Sequence, residues 1–143
     1  MAASFTADRS EKGLRASALR ARALELAEVE LHAYEPVLQA LRLPPDDPER
    51  AGRVSAAQAA ASESPLEVAR IAAELAELAA DLAEAGNRNL TGDAIAGALL
   101  AAAAGQAAAR LVAINLTEGP IVREATDLAD LAEVARAQAL NCS

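Results

Sequence analysis

Apolar residues recur at spacings of three and four along most of this chain, the period of an amphipathic helix, and nowhere does a sustained alternation suggest a strand. Leu24, Ala27, Leu31, Tyr34, Leu38 and Leu41 trace one such stripe, and the pattern predicts a first helix from about Ser10 to Leu43. Pro36 falls inside the stripe and is expected to kink it, because proline removes one ladder donor. Pro44-Pro45 ends it. Asp47-Pro48 reads as a helix cap followed by a first helical position, opening a second helix to about Ser62. Ser64-Pro65-Leu66-Glu67 has the form of a capping box, and the third helix it opens carries Val68, Ile71, Leu75, Leu78 and Leu82 on one face. Gly86 follows and is expected to close that helix in the left-handed conformation.

Between two strongly apolar segments lies one polar, turn-rich stretch, Gly86 to Asp93 (GNRNLTGD). A fourth helix is predicted from about Asp93 to Leu116, roughly 35 Å long. Its Gly97, Ala101 and Gly105 lie four apart, where missing side chains let another helix approach closely. Gly119-Pro120 breaks the chain before a fifth helix carrying Ile121, Leu128, Leu131 and Val134. The expected fold is all-α, a single domain over residues 1–143 built as a bundle of about five antiparallel helices. Its centre is expected to be an Ala-rich buried helix. The uncharged run Ala94 to Ala109 is shorter than the roughly 20 residues of a membrane span, and a buried helix accounts for it.

Composition sharpens this picture. Hydrophobic residues make up 53 % of the 143, yet aromatics only 1 %, so the core must be built from Leu, Val, Ile and above all Ala. A net charge of −8 without aromatic stacking platforms argues against a nucleic-acid partner. The lone Cys142 precludes a disulfide framework within one chain. Met1 to Ser10 do not read as a signal segment, so a cytoplasmic protein without a membrane partner is expected, its Asn89, Asn115 and Asn141 sequons unused.

Few side chains can carry chemistry. His32 is the only histidine and lies well off the first stripe, so no metal site is expected. Carboxylates and amides remain. Glu30 sits at the edge of the first stripe, where a half-desolvated carboxylate holds a proton more readily; pairing with an arginine is the structural alternative. Asp93 stands at a helix N-terminus, whose dipole favours a negative charge with or without a ligand. Asn87 and Asn89 suit either a turn or the reading of a ligand edge, and Asn115 needs a partner if buried.

Taken in order, these residues resemble a known family. The run from Ala73 to Leu116 is similar to the helix–loop–helix core of the formiminotransferase-cyclodeaminase C-terminal domain, which bacterial methenyl-tetrahydrofolate cyclohydrolases share. Gly86, Asn87 and Asn89 match that family's Gly-Asn-Pro-Asn turn, Asp93 its Asp, and Ile114-Asn115-Leu116 the end of its small-residue helix. Upstream, LELAEVELHAYEPVLQALRLP resembles the family's Asp-Ala-x-Ala-Tyr/Phe helix, and Ser64-Pro65-Leu66-Glu67 its Val-Pro-Leu-Glu. The pattern differs at Glu30 (Asp), Ser64 (Val), Arg88 (Pro), Gly92 (Ser), Leu111 (Asn) and Ala113 (Arg). It also places a glycine-rich segment and a whole helix ahead of Met1-Ala-Ala-Ser-Phe-Thr6, so an N-terminally truncated relative, or a start upstream of Met1, is expected.

The resemblance implies a homodimer acting on a small-molecule folate, a tetrahydrofolate derivative as substrate, with no metal. Two reactions follow from it: cyclisation of formimino-tetrahydrofolate with loss of ammonia, or hydrolysis of methenyl-tetrahydrofolate. It further implies Asp93 and Glu30 as catalytic residues facing one cleft, in one chain or across a dimer, and Asn87, Asn89 and Asn115 as folate-binding residues. The alternative is a non-catalytic helical dimerisation module descended from such enzymes.

Overall fold

The computed structural model describes residues 2–142, with side chains from Ser10 onward. Among them there is no strand, and six α-helices follow in order: α1 (Ala2–Ala33), α2 (Glu35–Leu41), α3 (Arg50–Ala61), α4 (Glu63–Ala85), α5 (Thr91–Asn115) and α6 (Pro120–Leu140). A 3-10 turn, Arg88–Leu90, joins α4 to α5. The backbone of Ala2 to Thr6 belongs to α1; Met1, and the side chains of the opening MAASFT, lie outside the described residues.

The count exceeds five because Pro36 does more than kink the first helix. Without its N–H the ladder stops at Ala33, and Leu38 N–H restarts it on the Tyr34 carbonyl at 3.2 Å. Asp47 caps no helix. Its Oδ1 accepts from Glu49 N–H at 2.8 Å and its carbonyl from Arg50 N–H at 3.1 Å, a turn that delays α3 to Arg50. The capping box at Ser64 does not form either. Ser62 alone separates α3 from α4, with its hydroxyl donating to the Gln58 carbonyl at 2.9 Å, and Ser64 is buried one residue inside α4.

The core is a seam of alanines where α4, α5 and α6 meet. Ala76, Ala80 and Ala83 pack against Ala98, Ala101 and Ala102 and against Ala132, Ala135 and Ala139. Gly105 lies where α5 faces both α4 and α6. A Cβ placed there would stand 3.5 Å from both Ala72 and Ala132 Cβ. The register identifies the directions: Leu66 with Val112, Ala72 with Gly105 and Ala79 with Gly97 run α4 antiparallel to α5, while Val112 with Ala125 and Gly105 with Ala132 do the same for α5 and α6. Side chains this small let helices approach nearly backbone to backbone, and they give up little rotamer freedom on folding.

The large apolar residues are placed differently from what their spacing suggests. On α1 the buried residues are Leu19 and Leu26, set against Ile71 of α4, whereas Leu24, Leu31 and Tyr34 of the predicted stripe face outward. Alpha-1 has two apolar faces and meets mainly one neighbour, α4, so one face stays uncovered. On α6 the buried stripe is Ala125, Ala129, Ala132, Ala135 and Ala139, and Leu131 and Val134 are exposed. The fourth predicted helix is likewise buried on one face only. Leu100 and Ile114 of α5 are 73 % and 66 % exposed, so it is not a helix enclosed on all sides. Residues 88–115 are long and apolar enough to cross a membrane, with a mean hydropathy of 1.5 in their best window, of which 33 % is buried against the rest of the chain.

Ion pairs hold α1 along α4. Arg22 grips Glu67 through Nε and Nη2 at 2.7 and 2.9 Å, Arg15 pairs with Glu74, and Lys12 reaches Asp81 at 2.9 Å. The hydrogen bonds from Arg22 and Arg15 hold the Glu67 and Glu74 carboxyls below their ordinary range. Gly86 ends α4 in extended backbone (φ −81°, ψ −165°) and not in the left-handed conformation expected. It is glycine because a Cβ would meet the Leu82 carbonyl oxygen at 2.0 Å. Gly119, at φ 125°, supplies the one positive φ among the described residues and turns the chain into α6.

These contacts make two expectations measurable. Gly105→Ala should raise thermal stability by about 0.5–1 kcal/mol, because the new methyl reaches only ordinary contact and helix propensity improves. Gly86→Ala should lower it. Equal effects of the two substitutions in a denaturation series would contradict the packing described. The second expectation concerns acid. Folding lowers the carboxyl values of Glu67 and Glu74, so their pairs stabilise the chain above the ordinary carboxylate range and lose that contribution as pH falls through it. Between pH 7 and about 3, hydrogen exchange in α1, corrected for intrinsic rate, should accelerate while α4 to α6 stay protected. Uniform protection across all four helices at acid pH would count against the clamp.

Candidate functional site

The polar stretch between α4 and α5 folds into a compact structure of its own. Asn87 Oδ1 accepts from Asn89 N–H at 3.1 Å, and the Asn87 carbonyl accepts from Leu90 N–H at 2.8 Å. These two bonds wind Arg88–Leu90 into the 3-10 turn and aim the chain into α5. Beneath it opens a cavity of about 560 Å³, bounded by Ala79, Leu82 and Gly86 from the end of α4 and by Leu90, Ala94 and Gly97. Asn87 and Asp93 are the polar side chains in its lining. Gly97 leaves the floor flat. Mostly apolar walls with two polar groups are the usual make-up of a small-molecule pocket.

Asp93 stands in the first turn of α5, where the helix dipole favours its negative charge. It is exposed, and its carboxylate has no hydrogen bond or ion pair among the described residues. Its acceptor capacity is free for a ligand. The Asn89 side chain is exposed and outside the lining, with its backbone N–H alone engaged in the turn. Arg88 is an exposed cation in the same turn.

Two of the expected residues lie elsewhere. Asn115 is at the far end of α5, about 33 Å along the helix from Asp93, where its Nδ2 donates to the Ala61 carbonyl at 3.3 Å. It ties α5 to the end of α3 and cannot share a ligand with Asn87 in one chain. Glu30 is exposed and lines a different cavity, of about 350 Å³, between α1, α4 and α5. The nearest α5 residue in that lining, Ala104, is about 16 Å along the helix from Asp93. Within one chain the two carboxylates therefore do not face one cleft. Glu30 falls on the same face of α1 as Leu19 and Leu26, four residues beyond Leu26, and it is exposed at the mouth of that cavity.

Sequence reasoning also passed over Ser64, taking it for a cap. It is 7 % exposed, lines the Glu30 cavity, and its hydroxyl has no hydrogen-bond partner. His32 is exposed, and among the described residues no group of three or more His, Cys, Asp or Glu converges.

An all-helical domain with a polar turn closing a cavity between two packed helices is what the structure defines. Residues 3–130 match the family described as Formiminotransferase-cyclodeaminase, which covers most of the chain, and the chain belongs to that family. No curated protein matches it.

Proposed function

We propose that the chain acts on a reduced folate, as a formimino-tetrahydrofolate cyclodeaminase or a methenyl-tetrahydrofolate cyclohydrolase, in the cavity closed by the Asn87–Asp93 turn. The observation that carries this reading is an unpaired carboxylate, with the Asn87 amide beside it, in a pocket whose other walls are apolar, inside the stretch that matches the family. The cavity volume suits a bicyclic ring between Leu82, Leu90 and the Gly97 floor. Both reactions move a proton at an amidine-like carbon. In hydrolysis, water adds to the cationic methenyl carbon as one of its protons passes to Asp93; the remaining hydroxyl proton then goes to the departing nitrogen as its C–N bond breaks, leaving a formyl group on the other nitrogen. In cyclisation, the ring-closing nitrogen gives its proton to the carboxylate, and ammonia leaves after taking one up. Glu30 joins this chemistry only where a second copy brings it to Asp93; within one chain Asp93 acts alone.

A homodimer belongs to the same proposal. Leu99, Leu100, Leu111 and Ile114 of α5, with Leu24 and Leu31 of α1, are large apolar residues left uncovered by a chain whose own core is alanine. Contiguous apolar faces of this kind mark interaction surfaces. A second copy packed helix against helix, with α5 at or near the centre, would cover them. The competing reading, a non-catalytic dimerisation module, draws on Leu111 and Ala113, which replace an Asn and an Arg of the family pattern.

Light scattering at tens of micromolar should give a dimer, and Leu100→Asp with Ile114→Asp should give a folded monomer. Wild type that is monomeric throughout that range would remove the dimer. For the chemistry, Asn89 lies outside the lining, so its amide reads the part of 5,10-methenyl-tetrahydrofolate that extends beyond the cavity, and Asn89→Ala should weaken binding about tenfold while the Asn87 turn is kept. Asp93→Asn should bind the folate yet lose about 100-fold or more in turnover. Turnover untouched by Asp93→Asn would dismiss the catalytic assignment, and folate binding without any turnover in wild type would favour the non-catalytic module.

A further inference from the structure

With the bicyclic ring of a folate in the cavity under the turn, the benzoyl-glutamate half extends out of its mouth, and that half carries two carboxylates. The charges on the flanking helix ends decide what those carboxylates meet. The last turns of α4 carry Asp81 and Glu84, and the first turn of α5 carries Asp93, on a chain of net charge −8. An anionic tail is repelled there unless a cation offsets them. From Ile71 to Ala109, through most of α4, the turn and most of α5, Arg88 is the one Lys or Arg. Its place follows from the lining. Asn87 and Leu90 both border the cavity, so the two residues between them, Arg88 and Asn89, form its rim. Arg88 is exposed, and its side chain makes no hydrogen bond or ion pair among the described residues. Glu84 precedes it by four residues and Asp93 follows by five, yet it pairs with neither. The turn itself is closed by Asn87 and by the Arg88 carbonyl, so the guanidinium is not needed to hold it.

We propose that Arg88 selects for the glutamate end of the folate, its guanidinium binding a tail carboxylate at the rim while the ring lies in the cavity. This rests on the folate reading of that cavity and adds to it a residue that the chemistry at Asp93 does not use. A guanidinium presents a planar fork of donors that meets a carboxylate in two parallel hydrogen bonds, and it stays charged at every working pH. The reacting carbon lies in the pocket with Asp93. A contact at the rim is therefore made equally before and during the reaction, and it sets affinity, not rate. Lying in water, it contributes modestly and is screened by salt.

The test pairs wild type and Arg88→Ala with two ligands: 5,10-methenyl-tetrahydrofolate, and the same folate with both glutamate carboxylates converted to amides. At low salt, Arg88→Ala should weaken binding of the acid about fivefold, with kcat unchanged. Wild type should bind the diamide about as weakly as the variant binds the acid, and the variant should lose nothing further on the diamide. Arg88→Lys, which keeps the charge without the fork, should fall between. Salt on the order of 0.5 M should erase most of the difference. Equal losses on acid and diamide overturn the proposal, because a deformed turn acts on both. An unchanged Kd for the acid overturns it too, as does a fall in kcat in place of affinity. If wild type binds neither ligand, the folate reading falls and this inference with it; wild-type binding that ignores Arg88 removes this inference alone.

Discussion

The close approach of α4, α5 and α6 along their alanine faces is the constraint on which the rest of the molecule depends. At the crossing of Gly105 with Ala72, Ala129 and Ala132 there is room for a methyl group in ordinary contact. A core of alanines buries little area per residue, at roughly 25 cal/mol for each square ångström of apolar surface. Stability must therefore come from close contact sustained along three helices more than twenty residues long. One consequence is that, beyond Leu19, Leu26, Val37, Leu66, Ile71 and Val112, many Leu, Val and Ile side chains are released from the interior. They stand on the outer faces of α1, α5 and α6, and the chain on its own displays apolar surface that a soluble monomer rarely keeps.

The same seam places the functional groups. Because α4 and α5 run antiparallel in tight register, the turn between them closes over the ends of both, and Asn87 and Asp93 arrive at a pocket whose floor is Gly97. Close packing also keeps things apart. Alpha-5 is rigid and long, so Asn115 and the groove holding Glu30 are fixed far down its length from Asp93. Residues that a motif gathers into one set are thereby distributed over three places: a turn pocket, a lateral groove, and a tie between α5 and α3. One family pattern thus mixes pocket-lining residues with structural bonds, and Asn115, holding the Ala61 carbonyl, belongs to the second kind.

Helix existence, the α4–turn–α5 unit and the close approach at Gly105 were legible in the sequence, since each rests on local periodicity or on the absence of a side chain. What covers each helix face was not. On α1 both Leu24–Leu31 and Leu19–Leu26 make respectable stripes, and only the position of α4 decides between them. Local reading failed where a nearby partner changed the role of a familiar residue. Ser64 resembles a cap, yet the α3–α4 junction has a single-residue turn at Ser62 and no need of one. Gly86 resembles a left-handed stop, yet it is required by the Leu82 carbonyl pressed against it. The Asn87 turn was readable because its two bonds are within the segment itself.

The central claim is that folate chemistry belongs to the turn pocket and not to the lateral groove. Hydrogen-exchange mass spectrometry of the intact chain, with and without saturating 5,10-methenyl-tetrahydrofolate, separates the two directly. The account predicts slowed exchange across residues 86–94 and the adjoining end of α4, with the groove residues 23–30 and 104–111 unaffected. Protection confined to those groove residues, or no protection anywhere, would contradict it.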